Sequence, residues 1–519
     1  MKSESQRRLR YLEDGVSALS LANLIFIQSW FGNLYEYGFG YYSRQPLTVT
    51  VLLALLCNLL GCAALFWLGA QVLRRHRKWG LDLVACLFIL TALLAPVELL
   101  RSSFLGLRDR QMLDFALSLP GLGIGAAVLG AALWRPRWVI RTVTALLLIL
   151  SPMAFFALAK TMLVVFQLQF QAPPAAVAGP ASPPLYTNSP PVRVVWIIFD
   201  ELDQRLAFAE RPAGLALPEL DHLCGESLCA TNAYPPAGST GVSIPSLLTG
   251  QMFQTAEASS LDDMSLAESP EHQLVQFSQL TNVFDEVRAG GGNTAAVGWY
   301  HPYSRLLKRS LNFGAWDPSA LSQMRNSGTF GGALKDQWGN VFHTIYWRFW
   351  HRHYVEEAIR NSLNVVTNGA YSLALLHLPL PHSPSLFDPA HEHLVTFGRL
   401  FPKGYFDNLQ LTDRVLGQFR AAMEKSGQWD KTWLLISADH SWRKSSGYDG
   451  RSDHRIPFIL KPPGHASAIS YAPLLNTVVT KDLILALLRG EVRDLPAAET
   501  WLYARLGKIP SYEGAPTDE

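Results

Sequence analysis

Residues 192–201 read VRVVWIIFDE. Apart from Arg193, the first eight are apolar and rich in β-branched side chains. Such a run suits a central parallel strand buried on both faces. It ends in two acids, Asp200 and Glu201. Similar runs recur at 294–299, 371–378, 432–438 and 456–460, with helical stretches between them. In one of these, 408–425, Leu409, Leu411, Val415, Leu416 and Phe419 repeat at near-helical spacing. Alternating strands and helices predict an α/β layered domain with a central, mostly parallel sheet. Ligands of such domains gather at the C-terminal ends of strands.

The chain before this point is of another kind. Over all 519 residues, Lys+Arg is 44 and Asp+Glu is 42, which leaves a net charge of +2. Hydrophobic residues make up 49% and charged ones only 17%, against about 25% charged in soluble domains. This composition excludes a disordered chain and a basic nucleic-acid binder. The apolar excess sits in five stretches, at roughly 16–36, 46–70, 81–100, 112–134 and 142–168; Gln45 to Leu73 holds no charged residue. About 20 apolar residues cross a bilayer as a helix. We therefore expect an integral membrane protein with a bundle of about five transmembrane helices over 1–170. A cleaved signal peptide is the competing reading of the first stretch, and the four further stretches weigh against it.

Basic residues orient the bundle. Lys2, Arg7, Arg8, Arg10, Arg74, Arg75, Arg77, Lys78, Arg135, Arg137 and Arg141 fall on one side, against Arg44, Arg101, Arg108 and Arg110 on the other. The positive-inside rule places the N-terminus in the cytoplasm and everything after residue 170 outside. Residues 171–192 are rich in Pro and Ala and read as an extended linker. The α/β domain then spans 193–519. It has no Asn-x-Ser/Thr site, which fits a bacterial inner (plasma) membrane with a periplasmic domain. Cys224 and Cys229 lie five apart in this domain and can form a disulfide in an oxidising compartment.

Chemistry collects where the strands end. The first run ends at Asp200 and the fourth at Asp439-His440. The third holds His377, with His382 five residues on, and the last begins just after Asp453-His454-Arg455. Asp and His are apt ligands for a divalent metal. Each alone reads more simply as a turn former or cap; together they favour a site. Residues 234–250, YPPAGSTGVSIPSLLTG, offer a nucleophile. A hydroxyl at a helix start meets free N–H groups and the positive dipole end. Ser239 or Thr240 can equally be a plain N-cap.

With these residues in place, the domain resembles the alkaline phosphatase superfamily, in its sulfatase and phosphoethanolamine/phosphoglycerol transferase branch. VVWIIFDEL resembles the opening strand with its acidic ligand. PELDHLCGESLCATNAY resembles "P-N-L-D-x-L…F-x-N-x-Y". STGVSIPSLLTG resembles the nucleophile segment, LLISADH the Asp-His ligand strand, and DHRIPFILKPPG the "R-V-P-x-I…P-G" strand. The five motifs run in order over about 193–465, and membrane helices before such a domain resemble the transferases that modify envelope glycans and lipids. The sulfatase spacing, nine residues before Thr249, and the transferase spacing, five before Pro245, both point to Thr240, with Ser239 as fallback.

The resemblance implies a metal site of Asp200, Thr240, Asp439 and His440 that holds zinc first, with manganese, magnesium or calcium as alternatives. It implies a catalytic role for Thr240, a phosphate-contacting role for His382 in "H-x-x-x-x-H-G-P", and a family-His position at His454, which Arg455 can instead occupy. Thr lacks the primary carbon needed to become formylglycine, and Val242 and Ile244 stand where formylglycine sulfatases carry Pro and Arg. The expected activity is therefore transfer of a phospholipid headgroup phosphate ester, phosphoethanolamine or phosphoglycerol, through a phosphothreonine onto an envelope glycan or lipid. The alternatives are a membrane-tethered phosphodiesterase or sulfatase-like hydrolase, and a non-enzymatic binding module. Asp439-His440-Ser441-Trp442-Arg443 departs from the transferases' Asp-His-Gly-Glu, which leaves donor and acceptor open.

Overall fold

The structure, a computed structural model, describes residues 2–35, 47–76, 78–100, 115–170, 183–187, 192–269, 273–316, 327–341 and 343–506, with positions 105 and 271. The linker expected over 171–192 lies outside the described residues except for 183–187 and 192, and so do Arg44, Arg77, Arg101, Arg108 and Arg110 of the orientation argument. The chain divides into two compact units. One holds the N-terminal helices together with 323–346; the other holds 176–322 and 347–519.

In the first unit the apolar stretches fold as helices. Val49–Arg75, Trp79–Glu98 and Ser151–Phe170 are long and apolar enough to cross a membrane, and the pair formed by Lys2–Ile25 and Ile27–Tyr35, bent by 67°, makes a fourth candidate. Leu119–Trp134 is apolar but shorter, at 16 residues. Thr48 caps Val49–Arg75 by accepting from Val51 N at 3.3 Å. Many large apolar side chains of these helices, Leu65 and Phe166 among them, remain exposed, as lipid-facing positions would. The helix Phe330–Val341 joins this unit through buried amides. Asn58 Nδ2 donates to Gln337 Oε1 (2.9 Å) and Leu334 O (3.1 Å), and Gln337 Nε2 donates to Val51 O (3.0 Å). Such amide pairs hold helices together where no water competes.

The second unit is built on a sheet with nine strands among the described residues. They are β1 (Arg193–Phe199), β2 (Leu228–Tyr234), β6 (Thr294–Val297), β7 (Phe313–Ala315), β8 (Leu373–Leu378), β11 (Thr432–Ala438), β12 (Ile456–Lys461), β13 (Ile469–Tyr471) and β14 (Leu475–Asn476). The short β3 (Thr255–Ala258), β4 (Met264–Ala267) and β5 (Val275–Gln276) form a separate sheet, and β9 (Phe387–Asp388) pairs with β10 (His393–Leu394). The main order is β13-β2-β12-β11-β1-β8-β6-β7, with β14 also on β2. Strands β11, β1, β8, β6 and β7 run parallel, while β12 is antiparallel to both its neighbours.

Every residue of β1, β8 and β11 is buried, because helices cover both faces. The amphipathic helix Lys403–Lys425 buries Leu409, Val415, Leu416 and Phe419 on one face. Arg193 sits within this core as a staple: its guanidinium donates to Val365 O and Val366 O (2.9 Å each), Tyr371 O and Thr432 Oγ1. Cys224 and Cys229 are joined as a disulfide.

The amide ties of the first unit are testable. Asn58→Leu and Gln337→Leu should each lower the melting temperature of the full chain in detergent. A double-mutant cycle should give a coupling of about 1 kcal/mol. Additive effects would mean that the two amides do not meet.

Candidate active site

The parallel register sets the site. Phe199 pairs with Ala438 on one side and Leu378 on the other, so β1, β11 and β8 end level. Asp200 and Asp439-His440 follow directly, and His377 sits one residue before the end of β8. After Asp200 the chain turns through Glu201 at φ 67°. This left-handed conformation costs a non-glycine residue roughly 1–2 kcal/mol. It brings Glu201 N to 3.4 Å from Asp439 Oδ1 and lets Arg443 Nε donate to Glu201 Oε1 at 3.3 Å.

Thr240 begins the helix Thr240–Thr249. Ser239 holds the N-cap position, and its side chain makes no capping bond. Thr240 is thus not the cap; it is buried, and its Oγ1 donates to Asp439 Oδ2 at 2.6 Å and lies 3.2 Å from His440 Nε2. Ser243 Oγ, one turn on, donates to Asp439 O at 2.6 Å and pins the helix to the end of β11. Pro245 lies inside this helix, where it has no N–H to donate to the carbonyl of Gly241.

The imidazoles are oriented by their second nitrogens. His440 Nδ1 lies 2.9 Å from Ser441 O, so Nδ1 carries the proton and Nε2 presents a lone pair. That lone pair faces Thr240, Asp200 Oδ1 at 3.6 Å and Asp439 Oδ2 at 3.5 Å. His377 Nδ1 lies 2.7 Å from Tyr303 Oη, and its Nε2 stands 4.0 Å from Asp439 Oδ2. Trp299 Nε1 donates to Asp200 Oδ2. His301 Nε2 lies 3.2 Å from Thr240 O. Gly298 allows this packing, since a Cβ there would come within 1.9 Å of the Tyr303 ring.

These residues fit a divalent cation. Asp200 Oδ1 and His377 Nε2 are buried without a hydrogen-bond partner. One ligand atom each from Asp200, His377 and Asp439 lies within 4.8 Å of the others. Burial, then the charges of Asp439 and Glu201, raise the Asp200 pKa well above the usual carboxylate range. Burial pushes Asp439 the same way, yet His440, His377 and the Thr240 hydroxyl outweigh it and hold that carboxyl low. Two carboxylates at one buried point resist joint ionisation, and a cation between them removes the conflict. Burial lowers His377 to about 4, so its imidazole is neutral near pH 7, the form that binds metal.

The structure brings Asp200, Thr240, Asp439 and His440 together and sets His377 beside Asp439. His382 lies beside them: its N donates to Asp200 O at 3.1 Å, and its half-buried ring is 5.7 Å from Trp299. Its Nδ1 has no partner, and burial lowers its pKa. His454 is half-buried just before β12, between Asp453 and Arg455, which pair with each other; its role rests on the resemblance alone. Sequence reasoning missed Trp299, His301, Tyr303 and His351. The His351 ring is buried with both nitrogens unpartnered, 5.6 Å from Trp299. Trp442, in place of the transferases' Glu, stacks on Tyr405 at 3.9 Å, and the basic Arg443 and Lys444 follow it.

A hydroxyl at a helix start meets two carboxylates and two imidazoles at the strand ends, and together they form a candidate metal site. Residues 193–487, more than half of the chain, match the Sulfatase family, and the chain belongs to it. With it goes membership of the alkaline phosphatase superfamily, whose enzymes use divalent metals. No curated protein matches the chain. Among solved structures, Ps i-CgsB is 16% identical, with 62% of this chain and 77% of that one covered and a TM-score of 0.42. The lipoteichoic acid synthase LtaP from Listeria monocytogenes is 13% identical, covering 59% and 73%, TM-score 0.39. The phosphonate monoester hydrolase SpPMH from Silicibacter pomeroyi is 16% identical, covering 63% and 78%, TM-score 0.38.

The groups that orient the ligands should set metal affinity. Trp299→Phe removes the donor to Asp200, and Tyr303→Phe removes the partner of His377. Each should weaken zinc binding by about 10–100-fold without unfolding the chain. Competition titration against a chromophoric chelator measures this, and unchanged affinity would contradict the assigned geometry.

Proposed function

We propose that this chain is a metal-dependent transferase that moves a phospholipid headgroup phosphate ester onto an envelope glycan or lipid, with Thr240 as the nucleophile. The observation that carries this reading is the Thr240 hydroxyl, 2.6 Å from Asp439 Oδ2 and 3.2 Å from His440 Nε2 at the start of a helix. Asp200, Asp439 and His440, with His377 and the Thr240 oxygen, would hold the metal, zinc in the first instance. When bound, the cation lowers the pKa of an adjacent hydroxyl and offsets charge on a phosphoryl group.

The residues divide the remaining work. The Thr240 proton leaves along its hydrogen bond to Asp439. Thr240 Oγ1 attacks phosphorus in line, and the bond from phosphorus to the diacylglycerol oxygen breaks. Diacylglycerol takes one proton as it leaves, and a phosphothreonine diester remains. An acceptor hydroxyl then attacks the same phosphorus and loses its proton. Thr240 departs and regains one, so the site ends as it began. His382, beside Asp200, would contact the phosphate or relay these protons, and His454 is the second candidate for that role. The Thr240 N-terminal position adds the helix dipole to phosphate binding.

A chain with both apolar spans and this domain shares a membrane with its donor, which raises the donor's effective concentration. The proposed setting is the bacterial inner membrane, with the N-terminus cytoplasmic and the domain periplasmic. The Cys224–Cys229 disulfide supports an oxidising compartment. The Sulfatase match supports a second reading, a membrane-tethered hydrolase in which water replaces the acceptor.

Reconstitution with phosphatidylethanolamine and phosphatidylglycerol tests both. Diacylglycerol release should fall by roughly three orders of magnitude or more in Thr240→Ala and by about 10²–10⁴-fold in His382→Ala. Release without free phosphoethanolamine or phosphoglycerol supports transfer, and accumulation of either marks the hydrolase. Full release by Thr240→Ala excludes both.

A further inference from the structure

The membrane unit holds a groove that the chemistry above does not use. It is open, with a volume of about 800 Å³, and lies between the start of Lys2–Ile25 and the end of Val49–Arg75. Both helices contribute polar residues to it: Gln6, Arg10 and Asp14 from the first, and Gln71, Arg74 and Arg75 from the second. Asp14, the only acid in the lining, is already satisfied. It is buried, pairs with Arg74 and accepts from Gln71 Nε2 at 3.1 Å. Arg10 and Arg75 make no ion pair with any described residue. The lining therefore carries two uncompensated guanidinium groups, the number and kind of donor that suits a phosphate diester.

The rest of the lining is aromatic and aliphatic. Trp67 Nε1 donates to Tyr11 O at 3.3 Å, and the two rings lie 6.5 Å apart. Leu68 and Val72 complete the apolar lining. With Leu65 they make a stripe along one face of the helix, at three- and four-residue spacing, and all three are more than half exposed. Trp67 lies eight residues before Arg75, roughly 12 Å along the axis. An aromatic anchor one headgroup depth inside a basic helix end is the arrangement of a membrane interface. A free phosphate has no use for the apolar stripe, whereas acyl chains do.

We infer that this groove binds the headgroup of an anionic phospholipid, with its phosphate between Arg10 and Arg75 and its acyl chains along Leu65, Leu68 and Val72. Basic pockets between transmembrane helices recognise anionic headgroups in this way.

Native mass spectrometry of the full chain in detergent tests it with dimyristoylphosphatidylglycerol and dimyristoylphosphatidylcholine as probes. The wild type should retain the phosphatidylglycerol in preference to the zwitterionic lipid. R10Q/R75Q should bind phosphatidylglycerol roughly thirty-fold more weakly, the loss of two basic contacts of ordinary size, and R10K/R75K should keep most of the binding. Should the double variant fail to fold, R75Q alone should show roughly a fivefold loss. Equal retention of both lipids, or unchanged binding by the glutamine variants, would overturn the proposal. Displacement of phosphatidylglycerol by millimolar inorganic phosphate would overturn it too, by making free phosphate the ligand.

Discussion

The hydrogen bond from Thr240 Oγ1 to Asp439 Oδ2 joins the first residue of a helix to the first residue beyond a central strand. A second bond, Ser243 Oγ to Asp439 O, repeats the tie one turn later. Two ties three residues apart fix both the rotation and the height of the helix. A slip of one residue would turn the hydroxyl by about 100° and take it out of the site. The buried carboxylate and the hydroxyl satisfy each other, so neither is left unpaired in the core.

The other ligands come from the sheet. Parallel pairing of β1 with β11 and β8 places three strand ends side by side at one level. Side chains that leave consecutive strands at the same height converge without help from a long loop. The next strand, β6, contributes Trp299 and His301 from the turn just beyond it. Oriented by Ser441 O, the His440 ring turns its lone pair inward. The site is therefore held by backbone register first and by hydrogen bonds to its ligands second.

Much of this was legible from residue order. The buried runs at β1, β6, β8, β11 and β12 are apolar enough to read as strands, and Asp200 and Asp439-His440 announce themselves by following such runs. Thr240 stands out only through the family resemblance, whose two motif spacings both point to it. The strand β2, LCATNAY, carries no clear strand pattern, because only Leu228, Ala230 and Ala233 are buried and a register shift falls between the two alanines. The antiparallel direction of β12 is a property of chain routing and leaves no mark in FILK. His377 was seen at its strand end, but its closeness to Asp439 follows from β8 lying beside β1, which no local pattern encodes. Trp299 and Tyr303 sit in a turn, GWYHPY, whose aromatic residues look like ordinary core. The helix Phe330–Val341 is too polar to read as part of a membrane unit. Its place there depends on Asn58 and Gln337, 279 positions apart.

The central claim is that the oxygen of Thr240 becomes esterified during turnover. Rapid acid quench of the enzyme with phospholipid donor and no acceptor, followed by peptide mass spectrometry, tests it most directly. The account predicts a headgroup-phosphate adduct on the peptide that holds Thr240, absent from Thr240→Ala and discharged when acceptor is added. Turnover at the full rate with no adduct on that residue would contradict it.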